Sequence, residues 1–240
     1  MEDFLLRGAS RILRWTGLLS WSYRLINKYH PSFESLQPSN LNAIVNAMKR
    51  SPCGDYYEFG VYKGFSLWFA TQIAATIDRT DMHFFGFDSF EGLPEPIGID
   101  KKADSLGNYF AKGCFTADLE LVKSFINKYC DKSTAERVVL IKGYYENTLV
   151  DDLNSIYGMK HAAVILVDCD MYASTKTVLK FITSKLVAGT IILFDDWLLT
   201  ASDAGQQLAC REWLTANPGL LLEEFCEFGM GKGFRVVRPR

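Results

Sequence analysis

From Asp55 onward the chain repeats one pattern: an apolar-rich run of five or six residues, a short stretch carrying glycine or carboxylates, then a helical segment. The strand-like runs are residues 55–60, 83–87, 137–141, Ala162–Val167 and 190–194. Helical spacing marks residues 65–77, Leu119–Tyr129 and 177–186, the last closed by Gly189. Continuous apolar strands between helices require a parallel sheet covered on both faces. Residues 220–227 and 233–237 are strand-like too, but only Phe228-Gly-Met-Gly-Lys232 joins them. That leaves no room for a crossover helix, so an antiparallel hairpin closes the sheet. The expected class is therefore α/β.

In an open parallel sheet, ligands bind outside the carboxyl ends of the strands. Those ends carry Glu58-Phe-Gly60, Asp88-Ser89, Gly143-Tyr144, Asp168-Cys-Asp170 and Asp195-Asp196. The glycine loop is not the dinucleotide fingerprint, because Tyr62 stands where a second glycine lets backbone approach a pyrophosphate. Asp88 follows Gly64 by 24 residues, where an acid accepts hydrogen bonds from ribose hydroxyls. Glu58 and Asp88 together suit a positively charged nucleoside without phosphates, as in S-adenosylmethionine. For Glu58 alone, a buried acid capping nearby backbone NH groups explains the residue equally well.

Asp168 and Asp170 are two apart, so an extended segment projects both to one side. With Asp195 and Asp196 they make four acids on neighbouring strand ends, which repel one another unless a cation compensates. Oxygen ligands of this kind suit Mg²⁺, Mn²⁺ or Ca²⁺. Helix capping and turn formation by the same aspartates are the alternative. The histidines are placed elsewhere: His83 and His161 precede their strands and His30 lies in the N-terminal segment, which argues against a Ser/His/Asp triad.

Composition narrows the partners. The 26 basic and 28 acidic residues leave a net charge of −2 without a long basic run, which argues against phosphate-driven nucleic-acid binding. Six cysteines without a C-x-x-C pair exclude a zinc ribbon and read as reduced thiols. No stretch approaches the roughly 20 apolar residues of a membrane span, and Glu2, Asp3, Arg7, Arg11 and Arg14 break up any signal-peptide core. A cytoplasmic protein is expected. Residues 1–50 form an N-terminal helical segment, either an oligomer contact or an acceptor cover, and residues 51–240 the main domain. Residues 91–118, rich in Gly, Pro, Lys and Asp, are its long insertion, a lid candidate.

Five segments resemble the macrocin O-methyltransferase family of metal-dependent class I methyltransferases acting on sugar hydroxyls. They are Glu58-Phe-Gly-Val-Tyr-Lys-Gly64-x-Ser66, Gly86-Phe-Asp-Ser-Phe-Glu-Gly-Leu-Pro-Glu95, Gly143-Tyr-Tyr-Glu-Asn-Thr-Leu149, Asp168-Cys-Asp-Met-Tyr-Ala-Ser-Thr175 and Asp195-Asp-Trp197. Asn147 and Val150 depart from the pattern, where aspartate and proline are expected. The resemblance implies a Rossmann-like sheet of seven strands, mostly parallel, with the C-terminal hairpin. It implies S-adenosylmethionine bound by Glu58, Phe59, Gly60, Gly64, Ser66, Asp88, Ser89, Gly143, Tyr144 and Asp168. It also implies Mg²⁺ or Mn²⁺ on Asp168, Asp195 and Asp196, and Asp170 as the base for a glycoside or sugar hydroxyl. A catechol-like diol would use the same metal logic. A dinucleotide-dependent oxidoreductase and a non-catalytic binding protein on the same sheet are the other hypotheses.

Overall fold

The computed structural model describes residues 38–103, 110–150 and 152–239. The N-terminal residues 1–37, with His30 and the oligomer contact expected there, lie outside them, as do residues 104–109 of the insertion.

Seven strands form one sheet in the order β3-β2-β1-β4-β5-β7-β6. They are β1 (Asp55–Phe59), β2 (Phe84–Asp88), β3 (Val138–Lys142), β4 (Ala162–Val167), β5 (Ile191–Phe194), β6 (Leu221–Phe228) and β7 (Gly231–Arg238). The first five are parallel, and β7 runs antiparallel to both β5 and β6. Strand order reverses between β1 and β4, so a crevice opens above their carboxyl ends.

Every residue of β1, β2, β4 and β5 is buried. Alternate side chains serve opposite faces, as the period of two demands. Tyr56, Phe84, Val164, Leu166, Ile191 and Leu193 pack under α1 (Pro38–Arg50), α2 (Phe65–Thr76) and a helix at Leu119–Tyr129. Tyr57, Phe59, Phe85, Phe87, Ile165, Ile192 and Phe194 meet two helices on the other face, at Tyr172–Ile182 and Gly205–Ala216. The outer strand β6 instead exposes Glu223, Glu224 and Glu227, which pair with Arg235 and Lys232 of β7. Charges along an edge discourage pairing with another chain.

Two expectations need correction. The helix after β4 begins at Tyr172, five residues before the expected 177, and ends at Ile182 with one 3₁₀ turn beyond. Its early start has a donor-acceptor cause: Asp100, 2% exposed on the short insertion helix Gly98–Ala103, accepts from Tyr172 N at 2.7 Å and Ala173 N at 3.1 Å. A distant carboxylate thus caps the first turn. The helix Gly205–Ala216 has no counterpart in the sequence pattern, because its mixture of Gln, Arg, Glu and Thr shows little apolar periodicity. Among the described residues no helix is long and apolar enough to cross a membrane.

Candidate active site

A cleft of about 550 Å³ opens at the β1/β4 switch point, within the range of small-molecule sites. Its wall includes Gly60, Tyr62, Asp88, Ser89, Gly143, Tyr144, Asp168, Asp170, Asp195 and Asp196. Of the expected site residues, Glu58, Phe59, Gly64 and Ser66 stand behind that wall. Phe59 stacks on Phe87 in the core. Gly64 caps α2 in a left-handed conformation. Ser66 donates to Glu58 Oε1 at 2.7 Å, and Tyr56 donates to Glu58 Oε2 at 2.9 Å. Burial pushes the Glu58 carboxyl up to about 8 despite those two donors.

Asp88 lies on the wall, but its oxygens already serve the protein. Oδ2 accepts from the amides of Val61 and Tyr62, both at 2.8 Å, and Oδ1 from Phe90 N at 2.7 Å. The Ser89 hydroxyl is a further hydrogen-bonding neighbour of the same carboxylate, whose roughly four lone-pair sites are thus largely committed to the protein. Its first task here is to hold the glycine loop shut. That loop also touches the end of β4 directly: a Cβ on Gly60, whose φ is +97°, would lie 1.6 Å from the Asp168 carbonyl oxygen. Asp168 N in turn donates to Phe59 O at 2.8 Å.

The acids converge. One carboxylate oxygen from each of Asp168, Asp195 and Asp196 lies within 4.8 Å of the others. Burial pushes Asp168 and Asp196 well above the usual carboxylate range and raises Asp195. The charged neighbours that raise Asp168 are all acids, namely Asp195, Asp196, Asp170 and Glu58. Burial, followed by Asp195, brings the Asp170 carboxyl up to about 7. A hard cation with ligand oxygens at about 2.0–2.6 Å fits such a cluster, because it supplies the charge that the cluster lacks.

Asp170 corrects the expectation of an extended Asp-x-Asp segment. Its φ is +56°, and its backbone N donates to Asp196 Oδ2 at 3.0 Å. It caps nothing: Met171 is the N-cap of the following helix. Tyr62, Phe115 and Asp170 are three of the five described non-glycine residues with positive φ, and all three line the cleft. Such conformations persist where the surrounding structure holds them, and they concentrate at functional sites.

Several contributors carried no local signal. Asn40, on the first turn of α1, lines the cleft and donates to Asp195 Oδ1 at 2.8 Å. Gln206 stands behind Asp196, fully buried. The β6–β7 turn brings Gly229 and Met230 to the mouth, opposite Leu93, Pro94 and Phe115 of the insertion. Glycines between the two hairpin strands were the one available hint of a tight turn, and nothing in them pointed to the cleft.

A family model described as Macrocin-O-methyltransferase (TylF) matches residues 37–213. Among curated proteins, the chain is 28% identical over 150 residues to the 8-demethyl-8-(2,3-dimethoxy-alpha-L-rhamnosyl)-tetracenomycin-C 4'-O-methyltransferase of Streptomyces olivaceus, covering 62% of this chain and 54% of that protein. It is 25% identical over 174 residues to the mycinamicin III 3''-O-methyltransferase of Micromonospora griseorubida, covering 71% and 63%. The chain thus spans between half and two thirds of these relatives. Among solved structures, the O-methyltransferase NovP superimposes with a TM-score of 0.68 at 21% identity, covering 83% of this chain and 80% of that one. The calicheamicin methyltransferase CalS11 gives 0.65 at 23% identity, covering 82% and 77%. Both share the fold of this chain.

Proposed function

Because the chain belongs to the macrocin O-methyltransferase family, we propose that it methylates a hydroxyl of a sugar or glycosylated natural product, with S-adenosylmethionine as donor and a divalent cation held by Asp168, Asp195 and Asp196. The observation that carries this reading is the convergence of those three carboxylates within 4.8 Å, beside Asp170, in the cleft at the switch point. The relatives whose names specify sugar methylation support the acceptor class.

On the donor side, Gly60, Asp88, Ser89, Gly143, Tyr144 and Asp168 form the wall. Glu58, Phe59, Gly64 and Ser66 set the loop from behind, and Asp88 on the wall is the carboxylate that a ribose hydroxyl would meet. S-adenosylmethionine supplies the electrophilic methyl carbon, and Mg²⁺ or Mn²⁺ supplies the positive charge that eases ionisation of the acceptor hydroxyl. Asp170 takes that proton. Burial raises its carboxyl in the cation-free protein, and a raised carboxylate is a stronger base than an exposed one. Its left-handed backbone, fixed through Asp196, determines where the accepting oxygens stand. Leu93, Pro94, Phe115 and Met230 line the same cleft and would shield a bound donor and acceptor from water while the methyl group passes from sulfur to oxygen. Alignment of the two reactants contributes much of the rate enhancement, about 7–11 kcal/mol in well-oriented systems.

The test pairs binding with turnover. S-adenosylhomocysteine is expected to raise the melting temperature and NADH to leave it unchanged. A rhamnoside acceptor panel is expected to yield a product heavier by one methylene, lost with chelator and restored by Mg²⁺. A shift with NADH alone would overturn the donor assignment, and turnover indifferent to chelator would overturn the cation.

A further inference from the structure

Gln206 is fully buried behind the cleft, and its amide is committed in every direction that matters. Oε1 accepts from Asp196 N at 3.1 Å. Nε2 donates to the Val167 carbonyl at 3.0 Å and to Asp196 Oδ2 at 3.3 Å. That same Oδ2 accepts from Asp170 N, and the same Val167 carbonyl accepts from Asp195 N at 3.0 Å. One side chain therefore ties Asp196 to the end of β4, and Asp195 and Asp170 bond through their backbone N–H groups to the same two acceptors. Its position is fixed in turn by Gly205, whose φ is +51° and where a Cβ would lie 2.2 Å from Thr200 Oγ1.

With Oδ2 taking two donors, Oδ1 is the oxygen of Asp196 to which no hydrogen bond is assigned among the described residues, and it is the one a cation would take. An amide does this without bringing charge: it orients the carboxylate and leaves its negative charge uncompensated. A lysine there would neutralise Asp196 and compete with the cation, while a glutamate would add repulsion. We propose that Gln206 is the positioning residue of the cation cluster, holding Asp196 in its ligating orientation and, through Asp196, setting the backbone that carries Asp170. The inference rests on the reading that Asp168, Asp195 and Asp196 hold a divalent ion.

The experiment is Mn²⁺ binding to the full chain without donor or acceptor, followed by the paramagnetic signal of the free ion, for the wild type, Gln206→Met and Gln206→Ala. Methionine keeps the volume and removes the hydrogen bonds; alanine leaves space that water can enter, and supplies the measurement if the methionine variant does not fold. Loss of an outer-shell partner typically weakens metal affinity about 10–100-fold, and that is the expected result. The metal-free shift with S-adenosylhomocysteine should persist, showing that the donor half is intact. Turnover of the variants should rise towards wild type as Mg²⁺ is increased, which a merely structural defect would not show. A folded variant that binds Mn²⁺ as tightly as wild type would overturn the inference while leaving the cation reading standing. A wild-type protein that binds no Mn²⁺ would overturn the cation reading, and the inference with it.

Discussion

Asn40 Nδ2 donates to Asp195 Oδ1 at 2.8 Å, joining two residues 155 positions apart and tying α1 to the carboxylate cluster. The donor is neutral, so Asp195 is oriented and keeps its charge. Replacing Asn40 by aspartate sets a further carboxylate against Asp195. In the presence of chelator, Asn40→Asp should melt about 2–4 °C below wild type, corresponding to about 1 kcal/mol in a domain of this size. Mn²⁺ should recover most of the difference. A deficit that the metal does not narrow would separate Asn40 from the cluster.

Asp168 faces acids on every charged side, and their repulsion adds to the effect of burial. Asp168→Asn replaces a buried carboxyl, which must hold its proton in the metal-free protein, by a neutral amide of nearly the same shape. The metal-free protein should therefore become more stable, by about 2–4 °C for about 1 kcal/mol, because folding no longer has to protonate a buried acid. Turnover should fall by at least about 100-fold, beyond the usual cost of losing an outer-shell partner. A calorimetric scan and a methyl-transfer assay on one preparation read both effects. A less stable variant that still turns over would contradict the assignment.

Glu58 gives a pH dependence with a definite sign. Its carboxyl stands at about 8 in the folded protein against an ordinary value of 4.5. Between those values the unfolded chain has released the proton and the folded chain retains it, so stability falls as pH rises through the window. Each pH unit within that window corresponds to about 1.4 kcal/mol, a few kcal/mol across the whole interval. Glu58→Gln removes this slope. Melting curves of wild type and variant, followed from about pH 5 to pH 8, should diverge with wild type losing ground as pH increases. Parallel curves would mean that Glu58 ionises normally.

The insertion is anchored through Asp100. Its carboxylate serves the two amides at the start of the helix that follows Asp170 and Met171. Asp100→Ala should cost about 1 kcal/mol, the usual value of a cap, measured as a lowered urea midpoint. Cleavage by trypsin within residues 91–118 should also accelerate, since that anchor holds the segment to the body of the domain. Unchanged cleavage would mean that the other ties, such as Leu93 N to Cys114 O and Thr116 Oγ1 to Glu91 O, hold the insertion without it.

How much of this was legible in the sequence follows from the distance over which each signal acts. The parallel strands and the hairpin are written in local periodicity, and their observed limits differ from the expected ones by a residue or two. The acids of the cleft could be found because topology delivers strand ends to one place. Asn40, Asp100 and Gln206 could not. Each is an ordinary polar residue on a helix, and each acquires its role from a partner outside its own segment. Asp170 was legible as a residue but not as a conformation, because its positive φ depends on a carboxylate 26 positions ahead.

The contact between Gly60 and the Asp168 carbonyl leaves no room for even a methyl group, so the loop after β1 and the loop after β4 form a single rigid piece. The proposed donor and cation halves of the cleft would then be inherited together, neither drifting without the other. The insertion and the β6–β7 turn are under no such constraint. On the proposed function, new acceptors would be acquired by rewriting Leu93, Pro94, Phe115 or Met230 while the carboxylates beneath them stay unchanged.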